Sequence, residues 1–159
     1  MTVCIVDTSI LVELLDVPGK VSHRAQVLSD FEQRQKRNQQ FLLPVAVLIE
    51  TGNHIAQVSD GRVRRERAGR FVKFAGDALE GQSPFVATPF PANADVATWL
   101  ADFPDYAMRG LGLADRSVVA LWHEQRALNR DRRVYVWALD AHLSAYDTDG
   151  TPPSTPAPT

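Results

Sequence analysis

Short apolar runs alternate with longer stretches of helical periodicity along the chain. The runs predict strands over residues 2–6, 41–43, 84–88 and 134–139, because short apolar runs are typical of strands that are buried on both faces. Between the runs, apolar residues recur at the three- and four-residue spacing of amphipathic helices. Strands that alternate with helices in this way favour an α/β fold with a parallel sheet and helical crossovers.

Local signals predict where the helices begin and end. Thr8 and Ser9 are suitable N-caps for a first short helix, which Pro18-Gly19 would end. Further helices are predicted over residues 21–35, after Pro44, after Gly61, over residues 92–101 and from Leu113. The helix after Gly61 has a predicted buried face that consists of Ala68, Phe71, Val72, Ala75, Ala78 and Leu79.

The composition is that of one globular domain without disulfides. The chain has 159 residues and 45% hydrophobic content, and its one cysteine excludes an intramolecular disulfide. Asp7 interrupts the first apolar run, so neither a signal peptide nor a membrane span is predicted, and the cytoplasm is the expected location. Residues 1–147 are predicted to form the domain, and the Pro/Thr-rich segment 148–159 is predicted to be a disordered tail.

Four acidic residues fall where an α/β chain would bring them together. Asp7 and Asp140 each end an apolar strand, whereas Glu50 and Asp115 lie in predicted helices. The carboxyl ends of parallel strands form the crevice in which α/β proteins bind ligands. Because like charges repel, such a cluster is best explained by a divalent cation that neutralises it. The four residues therefore predict a metal-dependent hydrolase that acts on phosphodiesters.

Each of these residues also has a purely structural explanation. Asp7 could cap a helix, Glu50 could face solvent, and Asp115 could interact with a helix dipole. Thr8 and Ser9 could likewise be simple caps, or their hydroxyls could hold a metal-bound water or orient Asp7. The set of four is what favours function, because four separate structural roles would have to coincide at one edge of the sheet.

Positive charge is concentrated in the helix after Gly61, although the net charge of the chain is −2. Residues 62–73 contain six arginine or lysine residues and one glutamate. A basic helix beside an acidic pocket suits a nuclease, because phosphates need cations. The predicted RNA-binding residues are Arg62, Arg65, Arg70 and Lys73. The alternative is that these side chains only solvate an outer helix face.

The order and spacing of four short motifs resemble those of PIN domains. The motifs span about residues 3–146 and are Ile5-Val6-Asp7-Thr8-Ser9, Leu43-Pro44 with Glu50, the Asp115 segment over residues 112–120, and Leu139-Asp140-Ala141-His142-Leu143. The resemblance implies a PIN-like α/β/α sandwich with a central parallel sheet of four or five strands. It also implies an endoribonuclease that depends on Mg²⁺ or Mn²⁺ and cleaves single-stranded RNA through metal-activated water.

Further expectations follow from the same resemblance. By position, the catalytic and metal-binding residues would be Asp7, Glu50, Asp115 and Asp140, and the accessory hydroxyl would come from Thr8 or Ser9. Many small PIN proteins are VapC-type toxins, which commonly dimerise and are neutralised by a VapB-type antitoxin. A VapB-type antitoxin and a second copy of this chain are therefore the expected protein partners.

Two other interpretations stay open at this point. One is a non-catalytic PIN-like module that binds RNA or protein, and metal titration would distinguish it from the enzyme. The other is an enzyme for a different substrate, such as a structure-specific DNA nuclease or a phosphomonoesterase. Serine hydrolases and P-loop NTPases are disfavoured, because the chain has neither a GxSxG nor a GxxxxGK[ST] motif.

Overall fold

A computed structural model of the protein describes residues 1–149. Within this range, strands and helices follow one another in the order β1 (Val3–Val6), α1 (Thr8–Leu14), α2 (Arg24–Lys36), β2 (Gln40–Leu43), α3 (Val45–Ala56), α4 (Gly61–Leu79), β3 (Phe85–Ala87), α5 (Asn93–Met108), α6 (Leu113–Leu128), β4 (Val134–Trp137) and α7 (Ala141–Ser144). Each of the four predicted strands overlaps one observed strand.

The four strands form one parallel sheet in the order β3-β2-β1-β4. The central strand β1 is buried along its whole length, and its Cys4 lies opposite Phe41 of β2 and Tyr135 of β4. Helices flank the sheet, so the predicted α/β class with a central parallel sheet is confirmed, with four strands. Strand order reverses beside β1, since β2 and β3 follow on one side and β4 returns to the other. Ligand sites of α/β folds lie at such reversals.

The packing of α6 fixes one helix end near this reversal. Trp122 of α6 is fully buried, and its indole N–H donates a hydrogen bond of 3.0 Å to the carbonyl oxygen of Val134 in β4. A buried indole N–H needs such an acceptor. Val118 and Val119, one turn earlier in α6, are each 1% exposed and belong to the same core. The N-terminus of α6 is therefore held in a fixed position relative to the sheet.

Helix α5 is longer than predicted. The predicted helix ends at residue 101, but α5 continues through Pro104 to Met108, although the position before a proline disfavours helical backbone. Contacts on both sides of the proline explain the difference. Tyr106 is buried at 1% exposure, and Asp102 accepts a hydrogen bond of 2.6 Å from Arg116 of α6. These contacts offset the cost of an interior proline, which is about 3 kcal/mol.

The predicted buried face of α4 is partly wrong. Val72 and Leu79 are 68% and 70% exposed. Phe74 packs inward instead, with its ring centroid 4.8 Å from that of Phe85 in β3. Ala68 and Phe71 pack against the core as predicted. The apolar residues of α4 extend over more than one face, so periodicity alone did not define which face the sheet would cover.

The end of the described chain lies along the outer edge of β4. Tyr135 and Asp147 form an antiparallel bridge, and the backbone N–H of Thr148 donates to the carbonyl of Val134 at 3.0 Å. Thr148 and Asp149, assigned to the predicted tail, are described here, and residues 150–159 of that prediction lie outside the described residues. Within residues 1–149, no helix combines the length and the apolar character that crossing a membrane requires.

Candidate functional site

The four predicted carboxylates line one cleft of about 470 Å³ at the carboxyl ends of β1 and β4. Asp7 follows β1 directly, and Asp140 follows β4 after a short connection. Helix α3 contributes Glu50, and the first turn of α6 contributes Asp115. Asp7 and Asp140 lie near opposite ends of the domain in sequence. The strand reversal beside β1 brings them together.

Asp7 caps the first helix and is almost completely buried. It adopts extended backbone angles, and its Oδ2 accepts a hydrogen bond of 3.1 Å from the backbone N–H of Ser9. The prediction that Thr8 or Ser9 would cap this helix is therefore wrong, because an aspartate at the strand end reaches the free N–H groups first. Only 6% of Asp7 is exposed.

The hydroxyl groups of Thr8 and Ser9 contact two of the carboxylates. The Ser9 hydroxyl donates to Asp7 Oδ2 at 2.7 Å and accepts a bond of 3.0 Å from the backbone N–H of Leu139. The Thr8 hydroxyl donates to Glu50 Oε2 at 3.0 Å. Ser9 thus connects the carboxylate after β1 to the segment after β4. The Ser9 hydroxyl therefore orients Asp7, which is one of the roles predicted for this pair, whereas the Thr8 hydroxyl contacts Glu50 instead.

Asp115 and Asp140 are also positioned by helix ends. Asp115 Oδ2 accepts a bond of 2.8 Å from the backbone N–H of Gly112, which precedes α6. Asp140 caps α7, and its Oδ1 accepts a bond of 2.6 Å from the backbone N–H of His142. Each of these bonds uses one carboxylate oxygen. The structural role expected for Asp115 is therefore real, but it coexists with a position in the cleft.

The carboxylates affect one another electrostatically. Burial raises the pKa of the Asp7 carboxyl above its ordinary value, and the charge of Glu50 raises it further against the opposing hydrogen bonds of Ser9. Burial also raises the pKa of Asp115. The charges of Asp7, Glu50 and Asp140 add to that increase, while the bond from Gly112 opposes it. The four acids therefore share one electrostatic environment, and its charge favours a bound cation.

The donor set fits a hard divalent cation. Carboxylate oxygens are the ligands that Mg²⁺ and Mn²⁺ prefer. Within residues 1–149, no three side chains of the His, Cys, Asp and Glu types converge closely enough to form a complete ligand set. The side chains of the cleft thus provide suitable chemistry in one place, and the final coordination would require them to move together around the ion.

The raised pKa values predict how stability depends on pH when divalent ions are absent. A carboxyl whose pKa is raised by folding binds its proton more tightly in the folded state, so the free energy of unfolding falls as pH rises from the ordinary value of 3.8 through the raised one. Asp7→Asn removes the buried charge and should be more stable than the wild type near neutral pH. Urea unfolding of both proteins in EDTA over a pH series measures the difference, which should shrink as the pH falls. A constant difference would contradict the burial effect.

The predicted RNA-binding residues of α4 lie away from this cleft and are partly neutralised. Arg70 pairs with Glu66 at 2.6 Å, and Lys73 pairs with Asp77 at 2.9 Å. Arg62 and Arg65 are exposed. None of the four is among the described residues that line the cleft. Any contact of these side chains with RNA would therefore involve nucleotides outside the carboxylate site.

Other arginines of α4 have structural roles. Arg64 donates to the carbonyl oxygen of Val58 at 2.9 Å, just beyond the end of α3. Arg67 donates to the carbonyl oxygen of Asp16 at 2.7 Å and pairs with the Asp16 carboxylate at 3.2 Å. Part of the basic character of this helix is thus explained by its attachment to neighbouring segments.

Several residues that line the cleft were not predicted. They are polar or charged side chains from α1, from the segment before α2 and from α3, namely Glu13, Lys20, Ser22, His23 and His54. Glu13 had a detectable signal, because it is the one acid within the apolar run Ile10 to Leu15. His54 also had one, because it lies one helical turn after Glu50 in α3. Lys20, Ser22 and His23 lacked one, since their positions depend on how the loop after α1 folds.

Comparisons with known proteins add no assignment. No protein-family model, no curated protein and no solved structure matches the chain. The resemblance to PIN domains therefore depends on the four motifs and on the α/β fold. The functional interpretation depends on the carboxylate cleft itself.

Proposed function

We propose that this protein is a divalent-metal-dependent endoribonuclease that cleaves single-stranded RNA in the carboxylate cleft. The observation that carries the proposal is the convergence of four carboxylates, distant in sequence, on one cleft at the carboxyl ends of the strands. Burial and the neighbouring charges raise the pKa of Asp7 and of Asp115 there. Clusters of mutually perturbed acids in a cleft are typical of functional sites. A cluster of carboxylates in a cleft can bind a divalent cation, which can then activate water for the hydrolysis of a phosphodiester.

Asp7 and Asp115 would hold the ion, and Glu50 and Asp140 would support it. A bound Mg²⁺ or Mn²⁺ would supply the acidity that activates water and would neutralise charge on the leaving oxygen. The chain itself supplies orientation. The Ser9 hydroxyl fixes the Asp7 carboxylate at 2.7 Å, and the Thr8 hydroxyl fixes Glu50 at 3.0 Å. Side chains that hydrogen-bond to metal ligands, and not to the metal itself, orient those ligands.

The reaction needs no protein nucleophile. The oxygen of water forms a bond to phosphorus, the bond between phosphorus and the 3′ oxygen breaks, and that oxygen takes up a proton. The products are a 5′-phosphate and a 3′-hydroxyl. Attack by the ribose 2′ oxygen would instead leave a 2′,3′-cyclic phosphate, so the chemistry of the ends identifies the attacking group.

The test is cleavage of a defined, unstructured RNA with and without Mg²⁺ or Mn²⁺, followed by analysis of the product ends. We expect metal-dependent cleavage with 5′-phosphate and 3′-hydroxyl ends. Branched DNA and a nitrophenyl phosphate, assayed in parallel, serve as substrate controls. Cyclic phosphate ends, or cleavage that is unaffected by EDTA, would refute the mechanism.

The same proposal includes the biological role implied by the PIN resemblance. A ribonuclease of this size is expected to act as the VapC-type toxin of a toxin–antitoxin pair in the cytoplasm. Its VapB-type antitoxin would then cover the cleft. Inhibition of RNA cleavage by the product of a neighbouring small gene would support this role, and a wild-type gene that is harmless when overexpressed would count against it.

A further inference from the structure

The Lys20–His23 segment, residues 20–23, lies between α1 and α2 and contributes Lys20, Ser22 and His23 to the wall of the cleft. Within the described part of the chain, the cleft is lined by five carboxylates, one lysine and no arginine. A phosphodiester that enters the cleft is repelled by these carboxylates. A cation in the same wall would offset part of this repulsion, and Lys20 is in that position.

Lys20 is available for such a contact. It is exposed, and within residues 1–149 it forms no salt bridge with a carboxylate. Lys73 of α4, in contrast, already pairs with Asp77. An ammonium group carries three N–H donors and can approach a phosphate from several directions. Lys20 thus combines a free charge with a position at the site.

Glu13 holds the backbone of this segment. Its Oε1 accepts hydrogen bonds from the backbone N–H groups of Ser22 at 2.9 Å and of His23 at 3.0 Å. The backbone N–H of Lys20 donates to the carbonyl of Val17 at 3.1 Å. These bonds fix the chain on both sides of Val21, so the segment is held against α1.

Two arginines fix the flanks of the segment. Arg24 donates to the carbonyl oxygens of Glu13 and of Leu14, the latter at 2.9 Å, at the end of α1. Arg67 of α4 holds Asp16, which has a positive φ of 55°, a conformation that aspartate adopts more readily than most residues. The loop before Lys20 is therefore attached to α4 as well as to α1.

The burial of the Glu13 carboxylate destabilises the folded state, and core packing does not explain why an acid occupies this position. Glu13 is 1% exposed, and within the described residues its Oε2 has no hydrogen-bond partner. A buried acceptor without a partner destabilises the folded state. Costs of this kind are characteristic of functional sites, where a geometry is maintained for another purpose. The geometry that Glu13 maintains is that of the Lys20–His23 segment.

We propose that the Lys20–His23 segment is the phosphate-binding wall of the cleft, in which Lys20 contacts a backbone phosphate of single-stranded RNA and Glu13 acts as a positioning residue. The inference rests on the proposed ribonuclease function and deepens it, since it names the residue that holds the substrate backbone beside the carboxylates. It also replaces α4 with Lys20 as the main phosphate contact at the site of cleavage.

The test measures binding separately from cleavage. A fluorescein-labelled uridine dodecamer is titrated with the full-length Asp7→Asn protein in Mg²⁺, over a series of salt concentrations, by fluorescence anisotropy. Lys20→Gln in this background should weaken binding roughly five- to tenfold and should lower the log–log salt slope by about 0.7, the value for one phosphate contact on a single strand. The matched control is Lys36→Gln, an exposed residue at the far end of α2, which should change neither quantity.

The role of Glu13 is tested by comparing the RNA affinities of the two single variants, Glu13→Leu and Lys20→Gln, with that of the double variant. Glu13→Leu removes the acceptor for Ser22 and His23, so it should weaken RNA binding, and Lys20→Gln should then cause little further loss. Glu13→Gln retains Oε1 and should restore most of the affinity that Glu13→Leu loses. Independent, additive effects of Glu13→Leu and Lys20→Gln would overturn the positioning role.

The outcomes separate this inference from the proposed function. Equal effects of Lys20→Gln and Lys36→Gln, or no measurable RNA binding, would overturn the phosphate-binding wall. Metal-dependent cleavage by the wild-type protein would still stand in the first case. If the wild type does not cleave RNA but Lys20→Gln alone weakens binding, the wall is supported and the ribonuclease proposal fails.

Discussion

Asp7→Asn is expected to lower the rate of RNA cleavage by at least about a hundredfold, because loss of a group that only supports a metal ligand already costs about ten- to a hundredfold. Asp7 is the most buried of the four carboxylates, and it lies at the end of the central strand. Asparagine keeps the shape of the side chain but removes the charge that a cation requires. The measurement is the initial rate of cleavage of a labelled single-stranded RNA in Mg²⁺ and in Mn²⁺.

The fold of this variant should be unchanged, because asparagine is as good an N-cap as aspartate. Thermal unfolding in EDTA checks this point, and the variant should unfold cooperatively with a midpoint at or above that of the wild type near neutral pH. Asp105→Asn, an exposed position of α5 outside the cleft lining, makes the same chemical change and should retain wild-type activity. Wild-type cleavage by purified Asp7→Asn, free of contaminating nuclease, would refute the assignment of this carboxylate.

Ser9→Ala is expected to lower the cleavage rate by about ten- to a hundredfold. The Ser9 hydroxyl donates to Asp7 at 2.7 Å and accepts from the Leu139 backbone at 3.0 Å, so its loss removes both connections at once. The Leu139 N–H lies in an exposed region and can bind water, so the cost in stability should be only about 1 kcal/mol. Activity should therefore fall much more than stability does.

The control for this variant is Ser144→Ala in α7. The Ser144 hydroxyl makes only a long, exposed bond of 3.4 Å to the carbonyl of Ala141. It should leave the cleavage rate unchanged. Parallel losses of activity and stability in Ser9→Ala would mean that the hydroxyl serves the fold and not the carboxylate.

The sheet was largely predictable because each strand is a short segment made almost entirely of apolar residues. In β1 all four residues are buried, and β4 has the same pattern. A strand that is covered on both faces has few polar positions, so it is recognisable in the sequence as a continuous apolar run. The placement of Asp7 and Asp140 followed from the same pattern, since both come directly after or close to the end of such a strand.

The parts that sequence did not predict depend on contacts between distant segments. Helix α5 passes through Pro104 because Asp102 and Tyr106 are held by other elements. The cleft wall at Lys20 depends on Arg67, which lies far along the chain in α4. Local propensity contains no information about such contacts.

The basic helix combines exposed cations with arginines that have structural roles. Its charge suggested a surface for phosphates, but Arg64 and Arg67 bind backbone carbonyl groups of neighbouring segments. Arginine is suited to this role because its planar donors can bind carbonyl oxygens from a side chain that is partly buried. Two of the six basic side chains in residues 62–73 therefore attach α4 to neighbouring segments, a role that charge density along the helix does not indicate.

The segment from Tyr146 to Thr148 has a consequence for self-association. It pairs with β4 through the bonds between Val136 and Tyr146 and between Val134 and Thr148. A sheet margin that is already occupied offers no template on which another polypeptide could add a strand. A symmetric pair of these molecules would therefore not form by direct pairing of β4 with β4. Any shortened version that ends before Tyr146 would uncover that margin and become prone to aggregate.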